Sequence, residues 1–220
     1  MHAHLQAPAT TVPYLVSYPR TGSHWIRCFL ELYFDRPLLT RSFYEHASTD
    51  YLLHHTHDLE DEIRDRRDVI YLYRGVTSTV FSQLTYHMKD KAVDAPLAEV
   101  LRVAEEYRRS LRKWLLREDV AARKHVIAYE WLLDRPLPTL RGVIDFLGGS
   151  PDDDAIMRIW PTITHGSIKE RTTHDPRVIS ADNDTHLRRE LFRYRWGRQV
   201  IAHFTADADL ADAMDPALLA

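Results

Sequence analysis

The residues with the clearest capacity to bind an anion are Arg20, Thr21, Gly22 and Ser23, which follow the short apolar, β-prone run Tyr14–Ser17. Apolar residues at helix spacing come next. A strand, a turn with glycine and a helix aim backbone N–H groups and a helix N terminus at one point. The glycine lets a ligand approach the backbone, the hydroxyl groups are hydrogen-bond donors, and the arginine supplies a fixed positive charge. These four residues, the anion loop, are therefore expected to bind a phosphate or a sulfate group.

The anion loop differs from the loop of nucleotide triphosphatases and resembles that of another family. It lacks the earlier glycine and the Lys-Ser/Thr pair that the triphosphatase pattern requires. The sequence around it, Ser-Tyr-Pro-Arg-Thr-Gly-Ser-His-Trp, resembles the 5′-phosphosulfate loop of sulfotransferases that use 3′-phosphoadenosine 5′-phosphosulfate (PAPS), in a bacterial variant with arginine. The resemblance implies that PAPS is bound by Arg20, Thr21, Gly22, Ser23, His24 and Trp25.

Two residues of this stretch have further implied roles. Arg20 stands where most members of the family have a lysine, and the resemblance gives it the role of stabilising charge on the leaving phosphate oxygen. Because a guanidinium group stays protonated, we do not expect it to donate a proton. Trp25 corresponds to an aromatic residue that stacks on adenine, while its spacing alone fits packing in the core equally well.

Three histidines lie close together in the segment Tyr51–Asp58. On a strand, His55 and His57 would share one face and His54 would lie on the other. A zinc site and a surface histidine cluster are two interpretations, but no further ligand at recognisable spacing completes a metal site. The segment also resembles the Lys-Thr-His segment of the sulfotransferases, which implies that His57 is the catalytic base and that His55 replaces the lysine. Asp58 is a candidate for orienting an imidazole.

The segment Asp68–Arg74 is the clearest buried strand of the chain, and a helix is expected to follow it. Arg74 at the end of the strand and Ser82 on the helix would then lie near the edge where open α/β sheets bind ligands. Their spacing resembles the 3′-phosphate segment of the sulfotransferases, so both are expected to bind that phosphate. From the residues alone, a surface arginine and a serine that caps a helix are the alternative.

Tyr129 and Glu130 follow another buried strand, predicted from His125 onward, and a helix that Gly148 and Gly149 should end comes after them. This run resembles a further sulfotransferase signature, in which the tyrosine contacts adenine. Tyr129 is therefore expected to contact the base, while packing in the core fits its spacing equally well.

The resemblance weakens toward the C terminus. Ser167 and Ile168 loosely match two positions near the base in the family, which implies that they bind the cofactor. The late, basic, glycine-containing element of the family is missing. Arg177, or Arg188 together with Arg189, are the candidates to bind the 3′-phosphate in its place.

These elements predict a single α/β domain, residues 13–205, with a central parallel β-sheet flanked by helices. The resemblance implies the sulfotransferase fold, which is similar to that of P-loop nucleotide triphosphatases. Residues 1–12 are expected to be a flexible N terminus and residues 206–220 a C-terminal tail. Ser150 is expected to cap the next helix, with Pro151 in its first turn.

Composition narrows the class of protein. The 220 residues suffice for one well-packed core, and a net charge of −3 gives no general attraction to nucleic acid or to an anionic membrane. Cys28, the single cysteine, is expected to be a buried free thiol, which permits a reducing cytosol. Residues 1–13 lack a signal-peptide pattern, and no apolar run approaches the length of a membrane span. We therefore expect a cytoplasmic protein without an integral membrane contact.

The resemblance implies transfer of a sulfuryl group from PAPS to a hydroxyl group or, as second choice, an amine, which leaves 3′-phosphoadenosine 5′-phosphate (PAP). No metal is expected, since a sulfuryl group carries less charge than a phosphoryl group. The loops that should shape the acceptor pocket, residues 38–50 and 87–96, suit a small aromatic, lipid or glycosidic alcohol equally. A small-molecule phosphotransferase and a non-catalytic module that binds PAP or a nucleotide are the alternatives.

Overall fold

The computed structural model describes residues 11–59, 63, 65–172 and 183–219, so most of the predicted flexible N terminus lies outside the described residues. In the described part, a parallel sheet has the strand order β2-β1-β3-β4. Its strands are β1 (Tyr14–Ser17), β2 (His54–Thr56), β3 (Val69–Tyr73) and β4 (Lys124–Ala128).

Helices connect the strands and cover both faces of the sheet. Their bounds are α1 (Ser23–Phe34), α2 (Val76–Met88), α3 (Leu97–Leu111), α4 (Tyr129–Asp134), α5 (Pro136–Phe146), α6 (Asp153–Ile159), α7 (His165–Arg171), α8 (Asn183–Thr205) and α9 (Ala208–Ala213). A π-helical turn, Arg112–Leu116, extends α3. The predicted α/β domain with a central parallel sheet is confirmed.

Helix ends follow local chemistry, with one correction. The first helix ends before Pro37, which cannot continue a helix, and Asp35 takes a left-handed conformation with φ 48°. The prediction that Ser150 caps α6 is wrong. The helix begins two residues later, and the carboxylate of Asp152 accepts a hydrogen bond from the backbone N–H of Ala155 at 3.1 Å.

Alternate residues of the strands face two hydrophobic layers. One layer contains Val16, Tyr71 and Tyr73 and is covered by α2, α3, α8 and α9. The other contains Leu15 and Ile70 and is covered by α1, α5 and α6. With both faces buried, the strands carry almost continuous apolar residues, as parallel sheets require.

The segment after α8, predicted as a tail, packs against the first layer. Leu210, Met214 and Leu218 are buried there. The indole N–H of Trp131 donates to a carboxylate oxygen of Asp215 at 3.1 Å. In the described ranges, no helix has both the length and the apolar character that crossing a membrane requires.

The strand order decides which residues meet. All four strands run in the same direction, so their C-terminal ends lie at one edge of the sheet. The anion loop leaves β1 between the exits of its two neighbours, β2 and β3. Chain connections diverge there, at the position where open α/β sheets bind ligands. His57, Arg74 and Tyr129 follow β2, β3 and β4 at the same edge.

The packing of the C-terminal segment leads to a stability prediction. Leu210 is fully buried, so Leu210→Ala should lower the free energy of unfolding by about 2–5 kcal/mol, because it leaves a cavity. Leu187→Ala is the control: this leucine is 59% exposed, and its loss should change stability by less than about 0.5 kcal/mol. Urea denaturation measures both. Equal effects of the two substitutions would show that the segment does not belong to the folded core.

Candidate functional site

The anion loop is a concave turn of the backbone. Arg20 and Gly22 have left-handed conformations, with φ of 69° and 89°. The buried hydroxyl of Thr21 donates to the carbonyl of Tyr18 at 2.7 Å and fixes the turn. Among the described residues, no side chain caps α1, whose first residue is Ser23. Left-handed residues turn N–H groups inward, and the helix N terminus adds partial positive charge, which is the geometry an anion requires.

Gly22 is a position where only glycine fits. A Cβ atom there would lie 2.3 Å from Cδ2 of Tyr129, far inside van der Waals contact, and its positive φ disfavours other residues. The ring of Tyr129 is mostly buried and packs directly on the turn. This contact joins the exit of β1 to the exit of β4.

Arg20, Arg74 and Ser82 are brought together, as the sequence predicted for one site. The Nε of Arg20 donates to the Ser82 hydroxyl at 3.3 Å, and a guanidinium nitrogen of Arg74 donates to the Arg20 carbonyl at 3.2 Å. The phenol oxygen of Tyr107 accepts from the N–H of Arg74 and donates to its carbonyl. Arg74 also stacks over Tyr129, with Cζ 4.7 Å from the ring centre.

Arg189 of α8 joins Arg74 at this site. Its Nε is buried and has no hydrogen-bond partner among the described residues. Burial and the charge of Arg74 lower the pKa of Arg189. Two arginines that approach each other repel unless an anion lies between them. Glu130 compensates only in part, because its Oε1 is 4.0 Å from Arg74 Nε and also accepts from the N–H of Gly75.

His165 of α7 borders the same region. Its ring lies edge-on to Trp25, with 5.1 Å between ring centres. Burial and the charges of Arg74 and Arg189 lower the pKa of His165. Trp25 follows the anion loop in α1, and Tyr129, which packs on the loop, has the Arg74 guanidinium over its ring.

Two other predicted residues have structural partners, and a third is not described. Ser167 forms a capping box with Thr164: its hydroxyl accepts from the Thr164 N–H at 2.9 Å, and its own N–H donates to the Thr164 hydroxyl at 3.1 Å. Ile168 is buried in the second hydrophobic layer. Arg177 lies outside the described residues. His165, two residues before Ser167, contacts Trp25.

His57 is held in a defined tautomer. Its Nδ1 lies 2.7 Å from the carbonyl oxygen of Ser17, at the end of β1. A carbonyl only accepts hydrogen bonds, so Nδ1 carries the proton and Nε2 is the basic nitrogen of the neutral ring. The arrangement suits a general base beside the anion loop.

His55 is a buried neutral neighbour of His57. Its Nε2 is hydrogen-bonded to the Ser17 hydroxyl at 3.1 Å, and its ring centre lies 4.9 Å from that of His57. Burial, followed by the charge of Arg27, lowers the pKa of His55 well below its ordinary value. At neutral pH this position therefore does not supply the positive charge of a lysine.

Asp58 fixes the chain just after His57. Its backbone is left-handed, with φ 48°, and its buried carboxylate accepts from Lys113 at 2.6 Å and from the N–H of Ile63 at 2.9 Å. The bond that orients the His57 ring comes from Ser17, while Asp58 anchors the loop to the π-helical turn that extends α3. Among the described residues, no three His, Cys, Asp or Glu side chains are placed to hold one metal ion.

No protein-family model matches this chain, and no curated protein matches it in sequence. Several solved structures match it in fold. Mouse sulfotransferase SULT7A1 complexed with PAP superimposes with a TM-score of 0.60 at 14% identity, over 93% of this chain and 88% of that one. Retinol dehydratase complexed with androsterone and the inactive cofactor PAP gives 0.61 at 14% identity, over 93% and 82%. Its complex with retinol and PAP gives 0.57 at the same identity.

The chain therefore has the sulfotransferase fold, as the resemblance of its motifs implied. Sequence reasoning did not find three contributors to the site. His165 follows no recognised pattern, and the role of the Ser17 carbonyl has no sequence signal because every residue has a carbonyl. At Lys113 the sequence shows only a charged residue on an amphipathic helix, which does not predict its contact with Asp58.

The histidines of the site lead to a prediction about acid stability. Burial and then the charge of Arg27 lower the pKa of His24 to about 3, whereas an unfolded histidine titrates near 6.5. Between these values unfolding takes up a proton at His24. Its contribution to stability is thus complete above about pH 6.5 and is lost as the pH falls, by up to about 1.4 kcal/mol per pH unit.

Urea unfolding at pH 7.5, 6 and 5 measures this effect as the difference between the wild type and His24→Gln. We expect the wild type to lose stability more steeply toward acid than the variant. Parallel pH profiles for the wild type and His24→Gln would contradict the prediction.

Proposed function

We propose that the protein is a sulfotransferase that moves the sulfuryl group of PAPS to a hydroxyl group of a small acceptor and releases PAP. The observation that carries the proposal is the position of the anion loop between the basic nitrogen of His57 and the paired arginines Arg74 and Arg189. The structural similarity to SULT7A1 and retinol dehydratase, both in complexes with PAP, supports the same conclusion.

In this proposal the two halves of PAPS occupy the two sides of the loop. The 5′-phosphosulfate lies on the N–H groups of the loop and of the first turn of α1, with the Arg20 guanidinium alongside. The 3′-phosphate lies between Arg74 and Arg189, whose repulsion it relieves, and near the Ser82 hydroxyl. The adenine lies between Trp25 and Tyr129.

Arg189 replaces the late basic element of the family, which is missing from this sequence. It approaches Arg74 from α8, and the donor group Nε is buried without a partner among the described residues. An incoming phosphate dianion supplies the acceptor for that donor. A nucleotide without a 3′-phosphate leaves it unsatisfied, which gives selectivity for PAPS over other adenine nucleotides.

The chemical step forms one bond to sulfur, breaks another and moves one proton. The acceptor oxygen attacks sulfur, the bond from sulfur to the oxygen of the 5′-phosphate breaks, and the acceptor proton passes to Nε2 of His57. Negative charge develops on the phosphate oxygen of PAP. Arg20 and the loop N–H groups are already oriented to stabilise it.

A substitution at the base tests this step. His57→Ala should reduce the turnover number by about 100-fold or more, because general-base catalysis contributes on that scale. Its affinity for PAP should stay within about twofold of the wild type, because His57 lies on the acceptor side. Transfer of labelled sulfate from PAPS to a panel of alcohols and phenols, with EDTA present, measures the rate, and calorimetry measures PAP binding.

His54→Ala is the matched control for this experiment. This histidine lies three residues earlier, packs on Tyr14 with 5.2 Å between ring centres, and should keep wild-type turnover. Full activity of His57→Ala would rule out its role as base. Binding of PAP without any sulfate transfer would favour the non-catalytic module, and transfer of phosphate from ATP with Mg²⁺ would favour a phosphotransferase.

The 3′-phosphate site has its own test. Arg189→Gln should weaken PAP binding by about tenfold or more, because it removes a charge-assisted hydrogen bond. Its affinity for adenosine 5′-phosphate, which has no 3′-phosphate, should hardly change. Arg198→Gln, at an exposed position of the same helix, is the control and should bind both as the wild type does. Equal losses for both nucleotides in Arg189→Gln would place this arginine elsewhere.

A further inference from the structure

Arginines gather around one ring next to the anion loop. Phe43, in the segment after α1, has Cζ of Arg27 at 4.7 Å and Cζ of Arg41 at 5.2 Å from its ring centre. The ring of His24 lies 5.5 Å from the same centre. His24 follows the anion loop directly, so both arginines lie close to the proposed reaction site.

Arg27 is buried without full hydrogen bonding. Its side chain belongs to α1 and the residue is 4% exposed. One terminal nitrogen donates to the carbonyl of Arg41 at 2.8 Å, while Nε is buried and has no hydrogen-bond partner among the described residues. Burial lowers the pKa of Arg27 to about 10, so the group is still charged at neutral pH. A buried charged donor of this kind is costly unless a ligand supplies an acceptor.

The carboxylate of Glu31 is already used by other donors. It is fully buried and accepts from the N–H of Phe43 at 2.9 Å, from the N–H of Tyr44 at 3.2 Å and from Nε2 of His46 at 3.3 Å. Its role is to hold this segment against α1. A further arginine, Arg171, lies over the ring of Tyr44, with Cζ at 4.4 Å. The acceptor capacity of Glu31 is thus spent on the backbone and a histidine, and Glu31 does not supply an acceptor for Nε of Arg27.

The positive region extends to the proposed base. Besides burial, the groups that lower the pKa of His24 are Arg27, Arg41, Arg20 and His57. His24 follows the anion loop in the chain and its ring packs on Phe43, so it connects the loop to the arginines around Phe43. A molecule whose hydroxyl group reaches His57 would bring its other end toward Arg41 and Arg27.

We propose that the acceptor is a small molecule that carries an anionic group, such as a carboxylate, together with the hydroxyl that receives the sulfuryl group. Arg41 and Arg27 bind the anionic group and His57 takes the proton of the hydroxyl. This inference rests on the proposed sulfotransferase activity and adds the charge of the acceptor to it. Anionic ligands bound by arginine are held by charge-assisted hydrogen bonds, the strongest polar contacts available.

Pairs of probes that differ only in charge test the inference. We would use 4-hydroxybenzoate and 4-hydroxyphenylacetate, each against its methyl ester, and measure binding to the protein saturated with PAP and sulfate transfer from PAPS. We expect each acid to bind at least about tenfold more tightly than its ester. Raising the ionic strength should weaken binding of the acids and leave binding of the esters unchanged.

Substitutions of single arginines test whether Arg41 causes the preference for the acids. Arg41→Gln should remove most of the preference for the acids over the esters, and Arg41→Lys should retain part of it. Arg158→Gln, at an exposed position of α6, is the control and should keep the full preference. The comparison of acids with esters on the wild-type protein needs no variant, so poor folding of a variant does not affect the main result.

The outcomes separate this inference from the proposed function. Sulfate transfer to acids and esters with equal efficiency would overturn the preference for an anionic acceptor and leave the sulfotransferase activity standing. Selective binding of the acids without transfer would support the charged pocket and count against catalysis. Equal affinity of acid and ester, or binding of neither, would overturn the inference.

Discussion

The contact between Gly22 and Tyr129 is the constraint on which the rest of the site depends. It lets the turn after β1 approach the start of α4 more closely than any side chain at position 22 would permit. The same tyrosine ring supports the guanidinium of Arg74, so that the exits of β1, β3 and β4 are held in one unit. An anion loop of this kind is therefore built from three strands, although its own residues come from one.

Much of this arrangement could be predicted from the sequence, because it is local or follows from a parallel sheet. Val69–Tyr73 is composed entirely of good strand formers, and Gly22 marks a turn that needs a left-handed residue. Once the strands are parallel, the residues after each of them must share one edge. The sequence named Arg189 as only one of three candidate arginines, since the choice among them depends on how α8 packs across the sheet, and no local pattern encodes that packing.

The charges of the site are arranged for a ligand more than for stability. Arg74 and Arg189 lie together with only partial compensation from Glu130, and Arg27 keeps a buried donor unused. Buried neutral histidines surround the loop, as the lowered pKa values of His24 and His55 show. Proteins tolerate such local conflicts mainly at functional sites, and the well-packed layers on both faces of the sheet offset their cost.

The hydrogen bond that orients His57 has a consequence for how the protein tolerates mutation. Its acceptor is the main-chain carbonyl of Ser17, which every amino acid provides. No substitution at position 17 can delete that acceptor. Which nitrogen of the His57 ring carries the proton therefore depends on how β1 pairs with β2. A slip of one residue between these two strands would move the carbonyl away and turn alternate side chains to the opposite face. The orientation of His57 is thus insensitive to the side chain at position 17 but depends on strand register.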